Sequence, residues 1–179
     1  MRREKGGAVK RKPDIVFKRK ENNAMITIKG RQYYDDEYYD TIELMTDGSF
    51  EKQGDAYLIS YDESEVTGMT GTRTTILVEP GDRVTLTRVG GVCQSLIFEP
   101  GRRNNGHYVM NEGQMTLTVD AGRVVNRLSE KGGSLFVNYS LEINSQLMSK
   151  NNFLIKIKEE PPYGPICQGW PGNGGYGNA

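Results

Sequence analysis

Apolar and polar residues alternate with a period of two through most of the chain, in short runs separated by tight-turn signals. Val84-Thr85-Leu86-Thr87-Arg88 runs into Gly90-Gly91, then Val92-Cys93-Gln94-Ser95-Leu96-Ile97-Phe98. Met115-Thr116-Leu117-Thr118-Val119 passes through Asp120-Ala121-Gly122 into Val124-Val125. Leu135-Phe136-Val137-Asn138-Tyr139-Ser140-Leu141 and Leu154-Ile155-Lys156-Ile157 close the series. Such alternation marks strands with one buried and one wet face. No helical stripe of useful length appears, although Gln32–Asp40 has room for a short turn.

The pattern predicts roughly ten strands, from segments near 24–32, 38–46, 49–53, 56–63, 73–79, 82–88, 91–98, 107–111, 114–119, 122–129, 134–143 and 146–157, with some neighbours merging. Asp47-Gly48, Gly90-Gly91, Asp120-Ala121-Gly122 and Gly132-Gly133 supply residues that tolerate positive φ, as hairpin turns require. Pro80-Gly81 and Pro100-Gly101 fit the central pair of a type II turn. Sequential hairpins make an antiparallel meander. With no helix to cover the sheet, a meander of this length is expected to close into an all-β, up-and-down barrel of about 8–10 strands.

Charge divides the chain. Lysine plus arginine balances aspartate plus glutamate at 23 each, so the whole is neutral. Residues 1–21, however, carry nine basic side chains against Glu4, Asp14 and Glu21, a net of +6 that leaves −6 for the rest. Residues 1–22 read as a flexible basic arm, 23–158 as the barrel, and 159–179 as a disordered Pro/Gly-rich tail that includes Trp170. Nucleic acid is expected to bind weakly at most, through residues 1–21 and without sequence preference, because the acidic domain repels it. No apolar run is long enough to span a membrane as a helix, and no hydrophobic segment of a signal peptide follows the basic N-terminus. Cys93 and Cys167 are the only cysteines, which fits a reducing compartment, and a cytoplasmic protein is expected.

A family likeness lies in the order and spacing of particular residues: Tyr61-x-Glu63, Thr74-Thr75-Ile76, then Gly81-Asp82-x-Val84-Thr85-Leu86-x-Arg88-x-Gly90. Phe98-Glu99, Gly101, Tyr108, Gly113, Leu117, Gly132-Gly133, Tyr139-Ser140-Leu141-Glu142-Ile143-Asn144 and Ile155-Lys156-Ile157 continue it. Over about residues 25–158 the chain resembles the YwiB-like family of small bacterial proteins with a domain of unknown function. The resemblance implies a calycin-type barrel, lipocalin-like in shape, and implies no established activity.

Strand parity selects the candidate site. Val84, Leu86 and Arg88 share a face, as do Tyr57, Ile59, Tyr61 and Glu63, and as do Thr74, Ile76 and Val78. If the apolar members face inward, Tyr61, Glu63, Thr74 and Arg88 meet in the barrel interior. There Arg88 either seals one end by pairing with Glu63 or offers a fork to a carboxylate or phosphate headgroup. Pairing is the cheaper arrangement, because an unpaired interior charge costs several kcal/mol. The Tyr33–Asp40 cluster reads as solvated residues whose tyrosines cover a barrel mouth, against the alternative of an acidic, aromatic binding edge. It lacks the spacing of a calcium loop.

Catalytic signals are weak. His107 is the only histidine and is expected on an outer face; a Cys93–His107 dyad has nothing nearby to activate it, and Cys93 reads as a buried small hydrophobe. Gly172–Gly177 matches G-x-G-x-x-G but has no strand before it and no helix after it. Asn138-Tyr139-Ser140 is a glycosylation triplet inside a strand. Arg102–Gly106 reads as a polar hairpin tip. No cofactor and no catalytic residue are expected. The leading reading is a non-enzymatic barrel that binds a small apolar or amphipathic ligand; its rivals are a nucleic-acid-associated protein and a protein–protein module or homodimer using a strand edge or the tyrosine cluster.

Overall fold

The structure, a computed structural model, describes residues 23–34, 39–110 and 113–159. The basic arm and all of the tail beyond Glu159 therefore lie outside the described residues, as do Cys167, Trp170 and the glycine-rich match at 172–177. Ten antiparallel strands follow one another: β1 (Ala24–Tyr33), β2 (Tyr39–Gln53), β3 (Ala56–Asp62), β4 (Arg73–Glu79), β5 (Arg83–Val89), β6 (Cys93–Phe98), β7 (Arg103–Met110), β8 (Gly113–Ser129), β9 (Gly132–Ile143) and β10 (Gln146–Glu159). Each pairs with its neighbours in sequence, and β1 pairs with β10, from Ala24 opposite Glu159 to Tyr33 opposite Lys150. The ladder is a closed up-and-down barrel, in which residues 39–47 of β2 pair with β1 alone and residues 121–129 of β8 pair with β9 alone. Among the described residues the single helical turn is the short 3-10 segment Glu65–Thr67 between β3 and β4. No helix among them is long and apolar enough to cross a membrane.

Three expected turns are not turns. Gly132-Gly133 opens β9, paired with Ser129 and Leu128, and the chain reverses just before it at Glu130-Lys131. Asp47 and Gly48 lie inside β2, opposite Met25 and Ala24. Gly48 serves close approach there: an ideal Cβ would collide with Ile26 Cδ1 and lie 2.5 Å from the Ser60 backbone oxygen. Asp120-Ala121-Gly122 lies inside β8, where the register against β9 shifts between Ala121 and Arg123. This β-bulge restores an inward position after an extra residue, so Ala121 and Val124 are both buried. The chain reverses instead at Gly54-Asp55 and at Asn144-Ser145, whose φ values of 51° and 63° are those of a two-residue hairpin turn. Pro100-Gly101 does form a type II turn: Gly101 has φ 77°, and Arg102 N–H donates to the Glu99 carbonyl at 3.0 Å.

Inward positions alternate around the barrel. Ile26, Ile59, Val84, Phe98, Val119, Leu135 and Val137 are fully enclosed. They fill the half near the β2–β3, β4–β5, β6–β7 and β8–β9 connections. Phe98 carries an aromatic layer at mid-height, with Tyr139 4.7 Å and Phe153 5.7 Å away between ring centroids. Above that layer the packing opens.

Candidate functional site

The open half encloses a cavity of about 380 Å³, near the lower end of the ~300–1,000 Å³ typical of small-molecule sites. Tyr139 and Phe153 reach it from the aromatic layer, Leu44, Ile76, Leu86 and Ile155 give it apolar walls, and Arg31, Tyr34 and Asp40 stand at its mouth. Ten strands enclose a wider interior than eight, which leaves room for the cavity.

All four residues selected by parity are here. Tyr61 and Thr74 are opposite one another across β3 and β4, and Thr74 is opposite Arg88 across β4 and β5. Glu63 extends the β3 ladder by one step, its N–H donating to the Thr72 carbonyl at 2.8 Å. Its side chain is 1% exposed. Glu63 Oε1 accepts from the Thr74 hydroxyl at 2.5 Å and from Arg88 Nε at 3.3 Å. Arg88 Nη1 also donates to Gln94 Oε1 at 2.5 Å. Glu63 Oε2 is buried and has no hydrogen-bond partner. Burial, with the neighbouring Glu63 charge, pushes the Tyr61 phenol well above its ordinary range, and Arg88 and Thr74 only partly offset this. Burial pushes the Tyr139 phenol up to about 12, again with Arg88 opposing. Both phenols therefore remain neutral donors at physiological pH.

Parity would also have found three residues that were passed over. Gln94 shares its face with Leu96 and Phe98, Tyr139 with Leu135 and Val137, and Asn151 with Phe153 and Ile155. Asn151 is buried and donates to Ser149 Oγ at 2.9 Å, which also receives Gln32 at 3.4 Å. This second polar group lines the cavity wall through Gln32 and Asn151.

Other candidates fall elsewhere. Cys93 is exposed, not buried: Gln94, Leu96 and Phe98 take the inward positions of β6, so the odd-numbered residues face out. His107 is exposed as well, opposite Ser95. Asn138 is exposed in β9, where it donates to the Asn151 backbone carbonyl at 3.4 Å. Within the tyrosine cluster, residues 35–38 lie outside the described ones; the Tyr33 and Tyr39 rings pack 5.6 Å apart, and Tyr34 and Asp40 line the mouth. Among the described residues, no group of three or more His, Cys, Asp or Glu side chains is placed to hold a metal ion.

The mouth has a further property. Among the described residues, ten large hydrophobic side chains are exposed, and only Met45 lies away from the mouth end. Tyr34, Tyr39, Ile42, Val66, Val89, Val109, Met115, Leu147 and Met148 all belong to the strand ends and connections that surround the opening. The opening thus has an apolar collar, while the described residues of the opposite end form none.

A family model described as a domain of unknown function, DUF1934, matches residues 26–155. Among solved structures, the crystal structure of the ywiB protein from Bacillus subtilis is similar, with a TM-score of 0.69 and 21% sequence identity over 78% of this chain and 93% of that one. At that identity the likeness concerns the fold. No curated protein matches the chain.

Proposed function

The chain belongs to the DUF1934 family, and we propose that it is a non-catalytic barrel that binds a small amphipathic molecule in its open half. The observation that carries this reading is the cavity of about 380 Å³ with apolar walls and a buried Glu63–Arg88–Thr74 cluster on one side. An apolar chamber with a few fixed polar groups is the usual design of a small-molecule site. The apolar collar supports it too, since it offers an amphiphile a low-barrier approach to the chamber. The non-catalytic part rests on the state of the polar groups. Glu63 Oε1 is held by Arg88 and Thr74, and the tyrosines keep their protons, so no nucleophile is poised. The lipocalin likeness adds an analogy of shape and carries no weight alone.

The rival interaction module draws on the same collar. Its strand-edge route is narrowed by closure of the barrel to stretches paired on one side, such as residues 39–47 of β2. Nucleic-acid association would fall to residues 1–21, outside the described residues. A cytoplasmic location agrees with the sparse cysteines. Native mass spectrometry of the protein purified from its own cells tests the proposal: a retained small molecule supports it. A mass equal to the bare chain, together with no binding of the neutral probe N-phenyl-1-naphthylamine, refutes it.

A further inference from the structure

Resting on that binding reading, we propose that the chamber selects amphiphiles bearing a neutral hydrogen-bond donor, such as an alcohol hydroxyl, over carboxylates, with Glu63 Oε2 as the acceptor. The evidence is the division of labour in the polar cluster. Both donors that reach Glu63, the Thr74 hydroxyl and Arg88 Nε, go to Oε1. Oε2 is left buried without a partner in a side chain that is 1% exposed and borders the cavity, so a ligand donor reaches it once the side chain shifts slightly toward the chamber. A buried carboxylate oxygen without a donor is costly, and a ligand that supplies one recovers that cost.

Charge sets the rest of the specificity. Arg88 faces Glu63 and Gln94, so its positive charge is already answered. A carboxylate placed on the remaining guanidinium donors would sit beside the Glu63 carboxylate and be repelled by it. An ammonium would satisfy Oε2 but would meet Arg88. A neutral donor meets neither penalty. The Tyr61 and Tyr139 phenols, held neutral by burial, add no countercharge for an ionic headgroup.

The experiment is displacement of N-phenyl-1-naphthylamine from the full chain at neutral pH by 1-decanol, decyl methyl ether and decanoate. These three share an apolar body and differ in the headgroup. The expected result is that decanol competes about tenfold or more better than either of the others, the factor supplied by one hydrogen bond to a charged acceptor. In Glu63→Met the advantage of decanol over the ether should vanish while the probe still binds. Equal competition by all three in the wild-type chain overturns the donor assignment and leaves the binding reading standing. Stronger competition by decanoate overturns it in favour of Arg88 as an anion fork. If the probe does not bind, the binding reading fails and this inference with it. The wild-type ranking decides the matter even if Glu63→Met does not fold.

Discussion

Removing Arg88 should destabilise the barrel more than removing Glu63, even though the two side chains contact each other. The reason is unequal burial. The Glu63 side chain is 1% exposed and Arg88 is 20% exposed. In Arg88→Met, Glu63 keeps only the Thr74 hydroxyl and becomes a buried charge without a counter-ion, which costs ~3–5 kcal/mol. In Glu63→Leu, Arg88 keeps Gln94 at 2.5 Å and has access to water at the mouth, so the loss is nearer that of a charged hydrogen bond, ~1.5–3 kcal/mol. The double variant removes both charges of the pair from the chamber wall. It should be more stable than Arg88→Met alone, with a coupling of ~1–3 kcal/mol. Urea unfolding followed by circular dichroism measures all four chains, and an unchanged m-value confirms that the unfolding transition is comparable. Two additive losses, each below ~1 kcal/mol, would show that the pair is effectively solvated. A larger loss for Glu63→Leu than for Arg88→Met would refute the burial argument itself.

Gly48→Ala should cost ~1–3 kcal/mol, because its Cβ would meet Ile26 and the Ser60 carbonyl, and backbone cannot yield cheaply; a loss under ~0.5 kcal/mol, within the range of an ordinary surface change, would contradict the close approach in thermal melts. Ser145→Gly should stabilise by ~0.5–1 kcal/mol, since Ser145 holds a positive φ of 63° that glycine adopts freely, and an unchanged or lower midpoint in denaturant would count against the turn geometry. Alkaline pH should weaken the fold. The Tyr139 phenol is raised from 10.0 to about 12, so its contribution is complete below pH 10.0 and is lost between 10.0 and about 12, where the unfolded chain sheds a proton that the folded chain keeps, at up to ~1.4 kcal/mol per pH unit. Tyr61 shifts in the same direction. Near-ultraviolet absorbance titration should show late-ionising tyrosines, and Tyr139→Phe should flatten the stability curve; an unchanged curve would mean that the phenol is solvated.

The barrel was legible because a period-two pattern carries its own face assignment. Once Val84 and Leu86 are inward, Arg88 has nowhere else to point, and Glu63 follows from Ile59 and Tyr61 in the same way. The same arithmetic reaches Gln94 from Phe98 and Asn151 from Ile155, in β6 and β10, where parity had been read for the apolar residues alone. The misplaced turns had another cause. Asp-Gly and Asp-Ala-Gly have the composition of hairpin loops, but a loop also needs its flanking strands to pair with each other. Gly48 is instead required by a close approach across β1, β2 and β3, and Gly122 is the extra residue of a bulge against β9. Both are properties of partner strands distant in sequence, which local composition does not encode.

The asymmetry between the two barrel ends had no local signature either, and it bears most on function. Outside the tyrosine cluster, Val66, Val89, Val109, Met115 and Leu147 each look unremarkable beside a turn, since single exposed hydrophobics are normal. Only the alternation of up and down strands brings every second connection to the same end. There the isolated residues become a collar around the one end that also holds the cavity. If the collar served only to pack against another protein, nothing would require a chamber beneath it. If the chamber were only a packing defect, nothing would require a buried carboxylate oxygen inside it or an apolar approach to it. A cavity, an unmatched acceptor and an apolar rim at the same end are what the proposed passage of an amphiphile from a wet surface into a dry site would require.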